Sequence, residues 1–142
     1  MNSLKGKYKP IEGLKLSVKG IVRRPDGKFL LIRRSQLSKA NPGFWEIPGG
    51  KMDAGETVDA SLRREVKEET GLDLKVEKLL GAYESIPSSF NIIYLAFLCN
   101  CQQDEVVLSS EHSEYAWVSK DNYQEYEIFH QFRKIIEDYC YS

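Results

Sequence analysis

The chain has few of the residues that staple, chelate or anchor. Its three cysteines, Cys99, Cys101 and Cys140, cannot all pair with one another. That odd count, with no signal-like start, predicts reduced thiols and a cytoplasmic setting. Cys99 and Cys101 would share one face of a strand, and with only two histidines in the chain they match no zinc-site spacing, so packing is their expected role. No apolar run approaches the roughly 18 residues of a membrane-spanning helix, and no leader-type hydrophobic segment follows the start. No membrane partner is therefore expected. A net charge of −1 supplies no basic field for nucleic acid or an anionic surface, so no nucleic-acid partner is expected either. What remains is an ordinary chain of 142 residues, 42% hydrophobic and 29% charged, without repeats or linkers. It reads as a single domain over 1–142, with 1–12 as an N-terminal tail.

The hydrophobic pattern sets the order of elements. "LKLSVKGIVR" (14–23) and "KFLLIRR" read as strands joined by the Pro-Asp-Gly turn of "RPDGK", a β-hairpin. "SQLSKANPGFWEIPGG", with two prolines and three glycines, reads mostly as loop, with "FWEI" as a short strand. Thr57 can cap a helix running to about Thr70, and Gly71 suits its left-handed stop. "LDLKVEKLLGAYES" reads as extended, "PSSF" as a turn, and "NIIYLAFLCNC" as the strongest buried strand. "QQDEVVLSSEHS" is a polar loop and "EYAWVS" a last short strand. From about Asp121, apolar residues at 128, 129, 132, 135, 136 and 139 predict a C-terminal amphipathic helix. Strands, helix, strands, helix make an α+β order: a mixed sheet flanked by helices.

One stretch asks for a chemical explanation. In "GGKMDAGETVDASLRREVKEETGL" (49–72), Glu65, Glu68 and Glu69 crowd into just over one helical turn. Like charges three or four residues apart cost a helix roughly 0.2–0.5 kcal/mol per pair. At about 100° per residue, Val58, Leu62 and Val66 form the inward stripe, Glu69 falls inside it and Glu65 at its border. Arg63 and Lys67 lie on the far side, and Arg64 reaches Glu68 at i, i+4. A carboxylate in an apolar stripe needs compensation. A divalent cation that prefers oxygen ligands, Mg²⁺ above all, supplies it, and the preceding glycines let a main-chain carbonyl approach the same ion.

The same stretch resembles the Nudix box, the signature of Nudix hydrolases. The pattern is Gly, five residues, Glu, seven residues, then Arg-Glu-apolar-any-Glu-Glu-any-Gly-apolar. Here it is Gly50, Glu56, Arg64, Glu65, Val66, Glu68, Glu69, Gly71 and Leu72, so all nine positions match. "NPGFWEIPGG" is similar to the segment before the box in MutT-type members, and the strand order agrees along most of the chain. The resemblance implies an α/β/α sandwich with a mixed sheet and hydrolysis of a pyrophosphate linked to a nucleoside. It implies Mg²⁺, or Mn²⁺, held by the carbonyl of Gly49 and by Glu65, Glu68 and Glu69. Those three glutamates are also the catalytic group, with Glu65 as the base that activates water. Glu56 and Arg64 match a structural brace between loop and helix. A further glutamate from a later loop is expected, Glu111 first and Glu114 as the alternative.

For the rest of the substrate, Arg34 matches a MutT-type nucleotide contact. Phe44, Trp45, Tyr83, Phe90 and Phe129 are stacking candidates whose ordinary role is core packing. Pro87 stands near the marker proline of ADP-ribose pyrophosphatases, whereas the diadenosine-polyphosphate position holds Ser88 rather than tyrosine. "GGKM" is not a P-loop, because it lacks Ser or Thr after Lys51. The first expectation is a MutT-type nucleoside triphosphate pyrophosphatase, a monomer or homodimer acting on a small-molecule nucleotide. An ADP-ribose or nucleotide-sugar pyrophosphatase is the second reading. The third is a non-catalytic ligand sensor, which would ordinarily have lost box residues that this chain keeps.

Overall fold

Gly27 (φ 89°) turns the first aliphatic run back on itself, and Asp26 Oδ1 accepts the Lys28 amide at 3.0 Å to fasten the turn. The computed structural model describes residues 13–142; the expected tail over 1–12 lies outside the described residues. The chain forms β1 (Lys15–Arg23), β2 (Phe29–Arg34), β3 (Trp45–Glu46), β4 (Gly49–Lys51), α1 (Val58–Thr70), β5 (Lys75–Glu84), β6 (Ile92–Asn100), β7 (His112–Val118) and α2 (His130–Tyr141). The sheet runs β3-β2-β1-β6-β5, with β7 also on β2 and β4 also on β1. β1 and β6 are parallel and the other pairs antiparallel, so the sheet is mixed.

Alternation along β1 and β2 feeds two cores. Val18, Val22, Leu30 and Ile32 face α1, where they meet Leu62 and Val66. Ile21, Phe29 and Leu31 face α2, where they meet Phe132, Ile135 and Ile136. Leu62 and Val66 are fully buried, and each such side chain stabilises by about 1.5–3 kcal/mol relative to exposure. The result is the expected α/β/α sandwich. Cys99 and Cys101 share the α1 side, as their spacing predicted. No described helix is long and apolar enough to cross a membrane.

The hairpin is joined only at its turn, with Arg23 opposite Phe29. Beyond that point β1 and β2 part, and the segment 45–51 wedges between them. β3 takes the free edge of β2 at Ile32 and Arg33, while β4 takes β1 at Ser17, Val18 and Lys19. At the corner, the Gly20 amide donates to the Pro48 carbonyl at 2.9 Å. This split positions the site described below.

Two expectations need correction. Glycine content marked 49–51 as loop, yet these residues form β4, because backbone pairing with β1 needs no side chain. The C-terminal helix starts at His130, not near Asp121. Ile128 and Phe129 keep their apolar contacts from an extended segment: Trp45 accepts the Phe129 amide at 3.0 Å and donates its own amide to Glu127 at 2.9 Å. A helical period and a strand docked beside it can place the same apolar residues inward.

Gly49 carries φ 139°, and a Cβ there would overlap the Val18 carbonyl oxygen. Gly49→Ala should therefore lower unfolding free energy by about 2 kcal/mol or more in urea titrations. A value within 0.5 kcal/mol of wild type, roughly the surface-substitution range, would contradict this packing of the wedge.

Candidate active site

Thr57 accepts the Ala60 amide at 3.1 Å, and Gly71 (φ 74°) returns its amide to Lys67 at 2.9 Å, so α1 is capped at both ends. Its faces fall as the helical angles require. Glu69 is buried, Glu65 half-buried and Glu68 exposed. The buried carboxylate is fastened to the wedge, since Glu69 Oε1 accepts the Gly49 amide at 2.7 Å. Glu65 presses against Gly50, where a Cβ would stand 2.5 Å from Oε2. Glycine at 50 leaves the space that brings main chain and carboxylate together.

Arg64 supplies the brace. Its Nε and Nη2 donate to the two oxygens of Glu56 at 2.7 and 2.9 Å, and Glu56 Oε1 also accepts the Asp53 amide at 3.0 Å. The Arg64 hydrogen bond, with the amide next, holds the Glu56 carboxyl down at about 2. Arg64 Nη1 lies 3.2 Å from Glu65 and 3.3 Å from Glu68. Arg63 and Lys67 point elsewhere, to Asp59 and Asp73.

The fold adds three buried residues that the sequence did not single out: Lys19, Glu46 and His112. Glu46 Oε1 faces Lys19 Nζ at 3.2 Å, while Oε2 faces Arg34 Nη1 at 3.0 Å and His112 Nε2 at 2.8 Å. Burial pushes the Glu46 carboxyl up, but Lys19, His112 and Arg34 together outweigh it and hold the group at about 2. His112 Nε2 is also 3.9 Å from Glu69 Oε2, and its Nδ1 is buried without a partner among the described residues. Residues 19, 46 and 112 belong to different strands, and no local motif connects them.

Lys19 and Glu46, but not His112, border a cavity of about 500 Å³. Gly49, Glu65, Glu69, Arg34 and Glu111 all line it, whereas Glu68 and Glu114 do not. Glu114 instead pairs with Arg33 at 2.7 Å. Arg34 also donates to Ser38 Oγ and to the Ala40 carbonyl, at 2.8 and 2.7 Å, so it is held in place from several sides. None of the five stacking candidates lines the cavity, nor does Pro87; its aromatic wall is Tyr94 and Phe132. Phe44 packs on Phe129 and Trp45 on Tyr126.

The donor set fits a hard divalent cation. The Gly49 carbonyl, Glu65, Glu69 and Glu111 offer only oxygen. Burial above all, then Glu46 and Glu65, raises the Glu69 carboxyl to about 8 against the pull of Lys19 and the Gly49 amide. Burial, with Glu68 adding to it, also raises Glu65, against the pull of Arg64. Glu65 has one cation beside it, Arg64, and Glu69 a backbone amide, against the Lys19, Arg34 and His112 that face Glu46. The tighter cluster of Glu46, Glu69 and His112 brings ligand atoms within 4.8 Å of one another, but both Glu46 oxygens there already face cations.

A family model described as the NUDIX domain matches residues 13–139. A MutT-like protein of Streptomyces ambofaciens is 37% identical over 110 residues, covering 78% of this chain and 67% of that protein. An ADP-ribose pyrophosphatase of Methanocaldococcus jannaschii is 36% identical over 128 residues, covering 87% of this chain and 72% of that protein. The crystal structure of a MutT protein from Methanosarcina mazei superposes with a TM-score of 0.73 at 32% identity, covering 90% of this chain and 94% of that one.

Two predictions follow from the charges. Arg64→Ala should lower the melting temperature by several degrees, because Glu56 loses a two-point partner. Arg63→Ala, which removes an exposed pair, should change it little, and equal effects would deny Arg64 its bracing role. For Glu69, the folded value of about 8 lies above the ordinary 4.5, so its protonated form favours the native state below 4.5 and that contribution is lost as pH rises toward 8. In chelator, wild type should match Glu69→Gln near pH 4.5 and fall progressively below it in melting temperature up to pH 8. Parallel curves for the two proteins would contradict the burial of an uncompensated carboxyl.

Proposed function

The chain belongs to the Nudix family, and from that premise we propose that it is a Mg²⁺-dependent hydrolase, with Mn²⁺ as the alternative ion, of a nucleoside-linked pyrophosphate. Within that class we read it as a MutT-type enzyme that takes a nucleoside triphosphate and water to a nucleoside monophosphate and pyrophosphate. The observation that carries this reading is the meeting of Glu65 and Glu69 with the Gly49–Gly50 backbone on a cavity that Arg34 also lines.

The Gly49 carbonyl, Glu65 and Glu69 would hold the ion, with Glu111 reaching in from the loop before β7 and Glu68 in a supporting place. When bound, such an ion neutralises crowded phosphate oxygens and acidifies a water. Glu65 takes the proton of the attacking water on its carboxylate; burial raises its proton affinity, which suits a base. Glu69 stays fixed by the Gly49 amide, so the carboxylates need little reorganisation. Arg34, pinned by Glu46, Ser38 and Ala40, presents a positioned cation to the nucleotide. Arg64 and Glu56 hold the loop from Lys51 to Thr57 against α1 and touch no substrate.

The ADP-ribose reading draws on the M. jannaschii relative and on Pro87. It ranks second because Pro87 stands outside the cavity whereas Arg34 lines it. The sensor reading ranks third, since every box residue is present. We place the protein in the cytoplasm, as a monomer or homodimer.

Incubation with a mixture of deoxynucleoside triphosphates and, separately, with ADP-ribose should give faster turnover of the triphosphates and release monophosphate plus pyrophosphate. Faster release of AMP and ribose 5-phosphate from ADP-ribose would reverse the ranking. Glu65→Gln should lower kcat by orders of magnitude with the fold intact, and Mg²⁺ should raise the wild-type melting temperature more than that of Glu69→Gln. Wild-type turnover in Glu65→Gln would remove it as the base.

A further inference from the structure

β1 brings to the site an ammonium that the Nudix box does not include. Lys19 is buried, with its side chain 7% exposed, yet its residue lines the cavity. Its Nζ lies 3.2 Å from Glu46 Oε1 and 3.3 Å from the carbonyls of Ile47 and Gly49. All three contacts sit at or beyond the long end of the N–H···O range. The Phe132 ring, itself edge-to-face with Tyr94, backs the ammonium at 4.5 Å from its centroid.

Glu46 does not account for this lysine. Its other oxygen already faces Arg34 at 3.0 Å and His112 at 2.8 Å, both closer than Lys19. Lys19 and Arg34 therefore bring two positive charges to one carboxylate, and the trio leaves a net positive charge on the cavity wall. Glu65 and Glu69, the acidic groups of the box, line the same cavity. A buried ammonium is unfavourable unless something repays its desolvation, and all three of the direct contacts here are long.

We propose that Lys19 and Arg34, tied to the two oxygens of Glu46, form an anion subsite that grips a phosphoryl group of the substrate, with Lys19 setting the preference for polyphosphate. The assignment deepens the proposed hydrolase reading, but the affinity it describes exists without metal and without turnover. Lys19 has three donors on a flexible stem, so phosphate oxygens can replace its two carbonyl contacts while the Glu46 contact stays. Arg34, fixed by Ser38 and Ala40, supplies the rigid half of the pair. An anion held there lies on the same cavity as Glu65 and Glu69.

The test is binding of inorganic pyrophosphate to the protein in buffer stripped of divalent ions, followed by calorimetry and by melting temperature. Wild type should bind and be stabilised. Lys19→Met should weaken the apparent Kd about tenfold or more, as for loss of one charge-assisted hydrogen bond. Glu65→Gln should bind at least as tightly as wild type, because it removes a like charge across the cavity. Should Lys19→Met not fold, the lysine Cε resonances of wild type decide: that of Lys19, assigned through Lys19→Arg, should shift with pyrophosphate and saturate at the calorimetric Kd. Absence of metal-free binding by wild type, equal affinity in Lys19→Met, or a Lys19 resonance that does not move would each overturn the subsite. Failure of every nucleotide hydrolysis assay would sink the hydrolase reading and leave this binding result standing.

Discussion

The hydrogen bond from the Gly49 amide to the Glu69 carboxylate, 2.7 Å long, joins the two parts on which the site depends. One part is the wedge that enters where β1 and β2 separate; the other is α1, packed on one face of the sheet. Neither brings the glutamates to the cavity alone. The wedge can approach only because residues 49 and 50 have no side chains, with Val18 behind one and Glu65 behind the other. The helix can present Glu69 inward only because Leu62 and Val66 hold that stripe against the sheet. Backbone geometry and side-chain burial thus meet in one contact, and the acidic cluster follows from both.

The carboxylates beside that contact divide into two kinds. Glu46 faces Lys19, Arg34 and His112, and its pKa falls to about 2. Glu69, as deeply placed, has a backbone amide and the distant charge of Lys19, and its pKa rises to about 8. The difference is one of partners, since burial pushes both in the same direction. Cations supplied by the chain surround Glu46, whereas Glu65 has only Arg64, which Glu56 and Glu68 share, and Glu69 relies on a backbone amide. The cavity is therefore bipolar, with carboxylates on one part of its wall and fixed cations on another. In the reading proposed above, a molecule carrying bare phosphates together with a divalent ion would satisfy both parts at once.

The local features were legible in the sequence because local physics produces them. The caps of α1, its buried stripe, the inward turn of Glu69 and the Arg64 brace all lie within one short segment. The hairpin turn was readable from Pro-Asp-Gly. β4 was not, because glycine carries no pattern and only the edge of β1 makes that segment a strand. The start of α2 was misplaced because Ile128 and Phe129 are apolar at helical spacing yet pair with Trp45 as extended chain. Lys19, Glu46 and His112 meet through strand register. Lys19 and Glu46 looked like ordinary strand residues and His112 like part of a polar loop, and no spacing between positions 19, 46 and 112 encodes a contact.

The same limit governs how substrate recognition can be read. Aromatic residues were natural candidates for a nucleobase, but Phe44, Trp45 and Phe129 are occupied with one another and with Tyr126. The rings that reach the cavity, Phe132 on α2 and Tyr94 on β6, meet edge to face, and neither belongs to the box. The box carboxylates of the cavity thus come from α1, and its aromatic part from α2 and β6. Recognition in this chain should accordingly be sought where β1, β6 and α2 converge, around Lys19, Tyr94 and Phe132, because none of these three belongs to the box.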